Sequence, residues 1–285
     1  MSKLRGYAIS TGFLGTDHTY VKSDKPAFSW ACWGRDAGGK EICQGSGNAT
    51  MGNCISQPNS WAGIIYGVTG VCHQTANRIL YPAHVTVSKA GGYWASTLAY
   101  GVYGTPASMI EWFARLAACS LVSSDITFIK ALEMDTRSQV LSQEDTEKAY
   151  LKKVMALYSE TMQTPQTLRA EVKEDESYSL IGKELELMME FRLGKSLDVQ
   201  ITKSILKQQY DFLKEKHEMD YNLYSTDLSV EKHVKEMNDL FGDTLRHIAE
   251  ILEKDQFEKI FGLTPPDGSF GIIDPKIAVK VHARN

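Results

Sequence analysis

The stretch Gly67-Val68-Thr69-Gly70-Val71-Cys72-His73-Gln74-Thr75-Ala76-Asn77-Arg78-Ile79-Leu80 places a thiol after two glycines and a threonine. It sits just before a run with Ala76, Ile79 and Leu80 at helical spacing. A cysteine in the first turn of a helix meets outward-pointing N–H groups and the positive end of the helix dipole. Both favour the thiolate, the nucleophilic form of cysteine. The same N–H groups suit a developing oxyanion. Cys72 is therefore the candidate nucleophile, and it needs a base. His217, His233 and His247 fall in charged helical stretches and His282 in the tail, which leaves His18, His73 and His84. His73 follows Cys72 directly on the helix, so its side chain points about 100° away. His18 and His84 each open a stretch with strand character, and a strand-borne imidazole facing a helix-borne thiol is what a Cys–His pair requires.

Asp17-His18-Thr19-Tyr20-Val21 followed by Gly70-Val71-Cys72-His73-Gln74 gives the order histidine strand, further strands, then cysteine at a helix N-terminus. In that order the chain resembles the circularly permuted branch of the NlpC/P60 papain-like proteins. The resemblance covers roughly residues 4–105 and rests on two short motifs. It implies cysteine-dependent hydrolysis or transfer at amide, peptide or thioester bonds, with Cys72 as nucleophile and His18 as base. It also implies a third, orienting polar group on a strand after His18. Ser29, Asp36 and Gln44 are the candidates, and none lies in a diagnostic motif.

Other constellations compete with this one. Cys72 paired with His84 is a tighter alternative, with a short helix, Pro82 as breaker and a strand between them. Cys32-Trp33-Gly34 is a third candidate, but Ser29 to Trp33 alternates like a strand and lacks a helix dipole. Cys32, Cys43, Cys54, Cys72 and His73 are close enough in sequence to suggest zinc, yet they lack the close CxxC-type pairs of structural sites. Neither Asp36 to Lys40 nor Gly45 to Gly52 has the spacing of a phosphate-binding loop. No metal or cofactor is expected. A free cysteine is most often a packing residue, and Cys43, Cys54 and Cys119 read that way. Asn77 and Arg78 read as polar groups on the helix surface, and Trp30, Trp33, Trp61 and Trp94 as core or groove wall.

The elements that must position these groups divide the chain in two. Residues 1–105 carry a net charge of about +4 and hold sixteen of the 22 glycines; the remainder carries about −8. Leu4 to Ser10, Asp17 to Lys22, Pro26 to Trp33 and Lys40 to Gln44 read as strands, as does His84 to Ser88. Trp61 to Tyr66 fits a short helix or a buried strand, and Tyr93 to Tyr103 fits neither pattern. From Pro106 onward the periodicity is helical: a helix starting at Pro106, one from Ser142, one around Tyr178 to Gly194, one over Leu197 to Met219, and one from Ser229 to Leu252. Phe270 to Ile273 suggests a last strand.

The expected fold is thus α+β. A papain-like catalytic domain spans residues 1–105, with antiparallel strands and a nucleophile helix. A mainly helical scaffold spans 106–285, acting as a lid or as a surface for a partner or for self-association. The expected substrate is a peptide, amide or acyl compound. A formal charge of −4 argues against nucleic acid, and no apolar run approaches the ~20 residues that span a bilayer. Five cysteines, an odd number without CxxC, suggest free thiols and a reducing compartment, hence a cytoplasmic protein or one exported without a leader. A non-catalytic binding or assembly protein with a Gly- and aromatic-rich head is the main alternative, and a zinc-stabilised module the third.

Overall fold

Four antiparallel strands occur in the spatial order β3-β2-β1-β4: β1 (Ser2–Ser10), β2 (Asp17–Asp24), β3 (Ala27–Ala31) and β4 (Lys40–Gly47). The computed structural model describes residues 2–12, 15–31, 35–57, 61–122, 143–162, 174–226 and 228–282. Strand alternation gives the sheet two unlike faces. Leu4, Gly6 and Ala8 of β1 stand opposite Ser23, Val21 and Thr19 of β2, and this face is covered by helices. Arg5, Tyr7 and Ile9 stand opposite Lys22, Tyr20 and His18 on the other face, where Tyr7 and Tyr20 stack with ring centroids 4.9 Å apart.

The helices over the inner face follow directly in sequence. They are α1 (Ala49–Ser56), capped by the Asn48 side chain, and α2 (Cys72–Leu80), which runs into a 3-10 turn at Tyr81–Ala83. The close approach of that turn to β4 depends on glycine. A Cβ at Gly47 would lie 2.8 Å from the Pro82 carbonyl oxygen. Next come α3 (Tyr93–Tyr100), α4 (Pro106–Val122), α5 (Gln143–Met162), α6 (Glu174–Leu193), α7 (Val199–Ser225), α8 (Val230–Ile251), α9 (Lys254–Phe261) and α10 (Pro275–His282). The architecture is α+β. Helix α4 begins at Pro106, and one continuous hydrophobic core extends to both sides of that point, from Leu4 and Ile79 to Met188 and Phe241.

Several local expectations differ from the structure. His84 to Ser88 is not a strand. His84 adopts a left-handed conformation after the 3-10 turn. The polar groups that follow bond to side chains rather than to a ladder: Val87 N–H donates to Asn77 Oδ1 at 3.0 Å, and the Thr86 and Ser88 hydroxyls donate to Glu147 at 2.6 and 2.8 Å. Phe270 to Ile273 is likewise irregular, because Asn238 does a neighbouring strand's work. Its Oδ1 accepts from the N–H groups of Ile272 and Ile273, both at 3.1 Å, and its Nδ2 donates to the Ile273 carbonyl at 2.9 Å. Trp61 to Tyr66 is a turn followed by irregular chain that ends in an isolated bridge between Tyr66 and Gly70, and Tyr93 to Tyr100 is helical. Asn77 and Arg78 are fully buried rather than on the surface. Arg78 donates to the carbonyls of Tyr103 (2.5 Å) and Ala62 (2.9 Å) and to the Ser108 hydroxyl (2.8 Å), tying α2 to the segment that leads into α4.

The expectation of free thiols at Cys54 and Cys119 is corrected. The two form a disulfide that fastens α1 to α4. Their separation of 65 residues, with no local motif, left no sign of the pairing in the sequence. The bond also removes Cys54 from any zinc donor set. Among the described residues, no group of three or more His, Cys, Asp or Glu side chains is placed to hold a metal.

Candidate active site

Cys72 is the first residue of α2, as its sequence context suggests. The turn ahead of it is held by backbone bonds from Gly67 N–H to the Gly70 carbonyl (2.8 Å) and from Thr69 N–H to the Ile65 carbonyl (2.9 Å). Gln74 closes the helix start by accepting from Val71 N–H at 3.0 Å. Its amide then donates to the Gly101 carbonyl at 2.9 Å and to the Ser96 hydroxyl at 3.2 Å. The N-terminus of α2 is thereby fixed to α3.

That N-terminus meets the end of β2 where the strand has an open edge. β3 pairs only with Tyr20 to Asp24, so Asp17 and Thr19 pair with β1 on one side and have no strand neighbour on the other. Asp17 N–H donates instead to the Gly91 carbonyl at 3.0 Å. The Asp17 carbonyl oxygen accepts from His73 Nε2 at 3.1 Å and from the Cys72 thiol, with Sγ at 3.7 Å. The sulfur therefore rests against the peptide that joins Asp17 to His18.

Cys72 is 5% exposed, and burial pushes its thiol up. Hydrogen bonding from the Thr19 N–H acts in the opposite direction, as do the N–H groups of His73 and Cys72. The buried Thr19 hydroxyl acts on the thiol in that same sense, though it makes no hydrogen bond of ordinary geometry.

His18 is also 5% exposed. Its Nε2 pairs with the Arg35 carbonyl oxygen at 3.1 Å, and its Nδ1 is buried without a hydrogen-bond partner. Burial lowers its pKa, while the Arg35 carbonyl and the negative charge of Asp274 raise it. Strand register puts the His18 side chain on the face of Tyr20, and it is Thr19 that lies on the face of the helices. The imidazole thus leaves the strand on the face away from α2, and no hydrogen bond joins it to the Cys72 thiol.

His73 is a structural group. Its Nδ1 pairs with the Ser96 hydroxyl at 3.1 Å, and burial depresses its pKa to about 4. His84 lies elsewhere, beside a cavity of about 620 Å³ that also touches Cys43 and Glu147. Ser29 and Gln44 are exposed and sit away from His18, opposite Lys22 and Arg5 respectively. Asp36 is exposed and directly follows Arg35 in sequence. The group on His18 is a main-chain carbonyl, for which no side-chain signal exists. Cys32, Trp33 and Gly34 lie outside the described residues.

Comparisons with protein families, curated proteins and solved structures give no match for this chain. Among the described residues, no helix is long and apolar enough to cross a membrane.

Proposed function

We propose that this protein is a cysteine-dependent hydrolase or acyltransferase of the permuted NlpC/P60 papain-like type, acting on an amide, peptide or thioester bond. The observation that carries the reading is the state of His18. Its ring is held at Nε2 by the Arg35 carbonyl, Nδ1 is left buried and unpartnered, and the Cys72 thiol rests on the carbonyl of the preceding residue, Asp17. A ring that donates from Nε2 keeps a lone pair on Nδ1, as a general base requires. Cys72 turns from the Asp17 carbonyl to that lone pair, gives up its proton, and attacks the substrate carbonyl. The N–H groups at the start of α2 suit the resulting oxyanion. His18 then returns the proton to the leaving group, and water or a second acceptor resolves the acyl-enzyme. The Cys54–Cys119 disulfide favours the exported alternative over a cytoplasmic one, because such bonds persist in oxidising surroundings.

Iodoacetamide labelling with peptide mapping tests the pair, using Cys43 as the internal reference thiol because burial pushes it up to about 12. Cys72 should label ahead of Cys43 near neutral pH, and His18→Ala should slow labelling of Cys72 alone, by about tenfold or more. Equal rates at the two thiols would end the proposal. One observation favours a non-catalytic binding protein instead: the resting thiol is buried and satisfied by the Asp17 carbonyl, as a packing cysteine would be. Equal labelling is the outcome that reading expects.

A further inference from the structure

Three consecutive carbonyls in the turn ahead of Cys72 are each gripped from outside the turn. Gly67 accepts from the Tyr100 hydroxyl at 2.6 Å, and Thr69 accepts from Thr105 N–H at 3.0 Å. Val68 between them accepts from the Lys216 ammonium at 2.7 Å. Lys216 lies on α7, 148 residues away in sequence, and is 4% exposed. Lysine is almost never buried to that degree unless it is paired. Here the partner is Asp220, one turn further along α7, and Asp220 Oδ1 in turn lies 3.5 Å from His233 Nε2 on α8. The ammonium also sits over the Tyr100 ring, 5.1 Å from its centroid.

We infer that Lys216 is a positioning residue for Cys72, and that the helical region forms part of the active site rather than a detachable lid. This inference rests on the reading of Cys72 as the nucleophile. A buried ion pair adds little net stability and is often replaced by apolar residues without loss. A reason for this pair is therefore needed, and the ammonium's other hydrogen bond supplies one. It fixes the carbonyl of Val68, four residues before the thiol, in a turn where Gly67 already takes a positive φ of 81°. The turn sets the direction in which α2 begins, and with it the N–H groups of Cys72 and His73 that act on Sγ. Asp220 holds the ammonium in place, and His233 borders the carboxylate.

The test compares Lys216→Met with Gln209→Ala in the full chain. Gln209 is a fair control because it is also buried on α7 and donates to the Leu98 carbonyl at 2.9 Å, but it does not touch the turn. Amide hydrogen exchange over residues 65–74 should rise about tenfold in Lys216→Met and stay unchanged in Gln209→Ala, both measured well below their melting temperatures. The pH midpoint for alkylation of Cys72 should move upward in Lys216→Met alone, and Lys216→Arg should restore it. Unchanged exchange in Lys216→Met, or an equal rise in both variants, overturns the inference. A shift in exchange without a shift in the alkylation midpoint overturns it too, since the clamp would then be purely structural. Failure of the nucleophile reading is separate: there, wild-type Cys72 labels no faster than Cys43.

Discussion

The Nε2 atom of His18 lies 3.1 Å from the carbonyl oxygen of Arg35, and the opposite ring nitrogen has no partner although it is buried. Only one tautomer suits this arrangement. The carbonyl cannot donate, so the proton belongs on Nε2 and the lone pair on Nδ1. Nitrogen-15 NMR of histidine-labelled protein should show His18 neutral at pH 7 with Nε2 protonated, and a titration midpoint below the ordinary 6.5 because burial opposes the charge. A dominant Nδ1–H tautomer would remove His18 from the role of base.

Asp274 adds a long-range contribution to the same ring. Its carboxylate, in the turn that begins α10, is the negative charge that favours imidazolium at His18. Asp274→Asn should therefore lower the His18 midpoint further. The change should be small, because the carboxylate makes no direct bond to the ring. The NMR titration above measures it. An unchanged or raised midpoint would show that Asp274 does not act on the ring.

How much of this was legible in the sequence follows from what each group is made of. The inner and outer faces of β1 and β2 follow from alternation, and the helices after Pro106 follow from spacing. Cys72 at a helix start was readable because glycines and a threonine ahead of an apolar periodic run form a local pattern. The partner of His18 was not readable, because a main-chain carbonyl is the same at every residue. Ser29, Asp36 and Gln44 drew attention only through their side chains. Asn238 could not be foreseen as the stand-in for a strand beside Ile272 and Ile273, nor Lys216 as a grip on Val68. Contacts across 35 and 148 residues leave no periodic trace. Arg78 misled in a different way: a charged residue on an exposed helix and one fully paired to carbonyls look alike in sequence.

The Cys54–Cys119 disulfide should be the main covalent brace between the strand-bearing region and α4. Closing a loop of 65 residues restricts the unfolded chain enough to add about 4 kcal/mol in the chain-entropy treatment. Cys54→Ser with Cys119→Ser should lower the stability measured by urea unfolding by about that amount, or somewhat less. Thiol titration of the denatured wild type should gain two thiols on reduction. No gain would mean that the pair is reduced in solution.

Glu184 gives the molecule an opposing pair of pH dependences. Its carboxylate is buried between the Tyr158 hydroxyl and the Val102 N–H, both at 2.6 Å, and burial raises its pKa to about 7. The fold thus binds this proton more tightly than the unfolded chain does. The stability it contributes is complete below about 4.5 and is lost as pH rises through about 7. His73 works the other way. With its pKa depressed to about 4, the unfolded chain takes its proton first, and stability is lost as pH falls from 6.5 toward 4. Between these limits the two slopes offset each other, so neither is visible in the wild type alone. Glu184→Gln separates them. Relative to wild type, the variant should gain stability between about pH 5 and about pH 8, by at most about 3 kcal/mol. Urea midpoints at the two pH values measure the gain. A difference between variant and wild type that does not change with pH would mean that Glu184 stays ionised throughout, and that the Tyr158 and Val102 donors fully satisfy its charge.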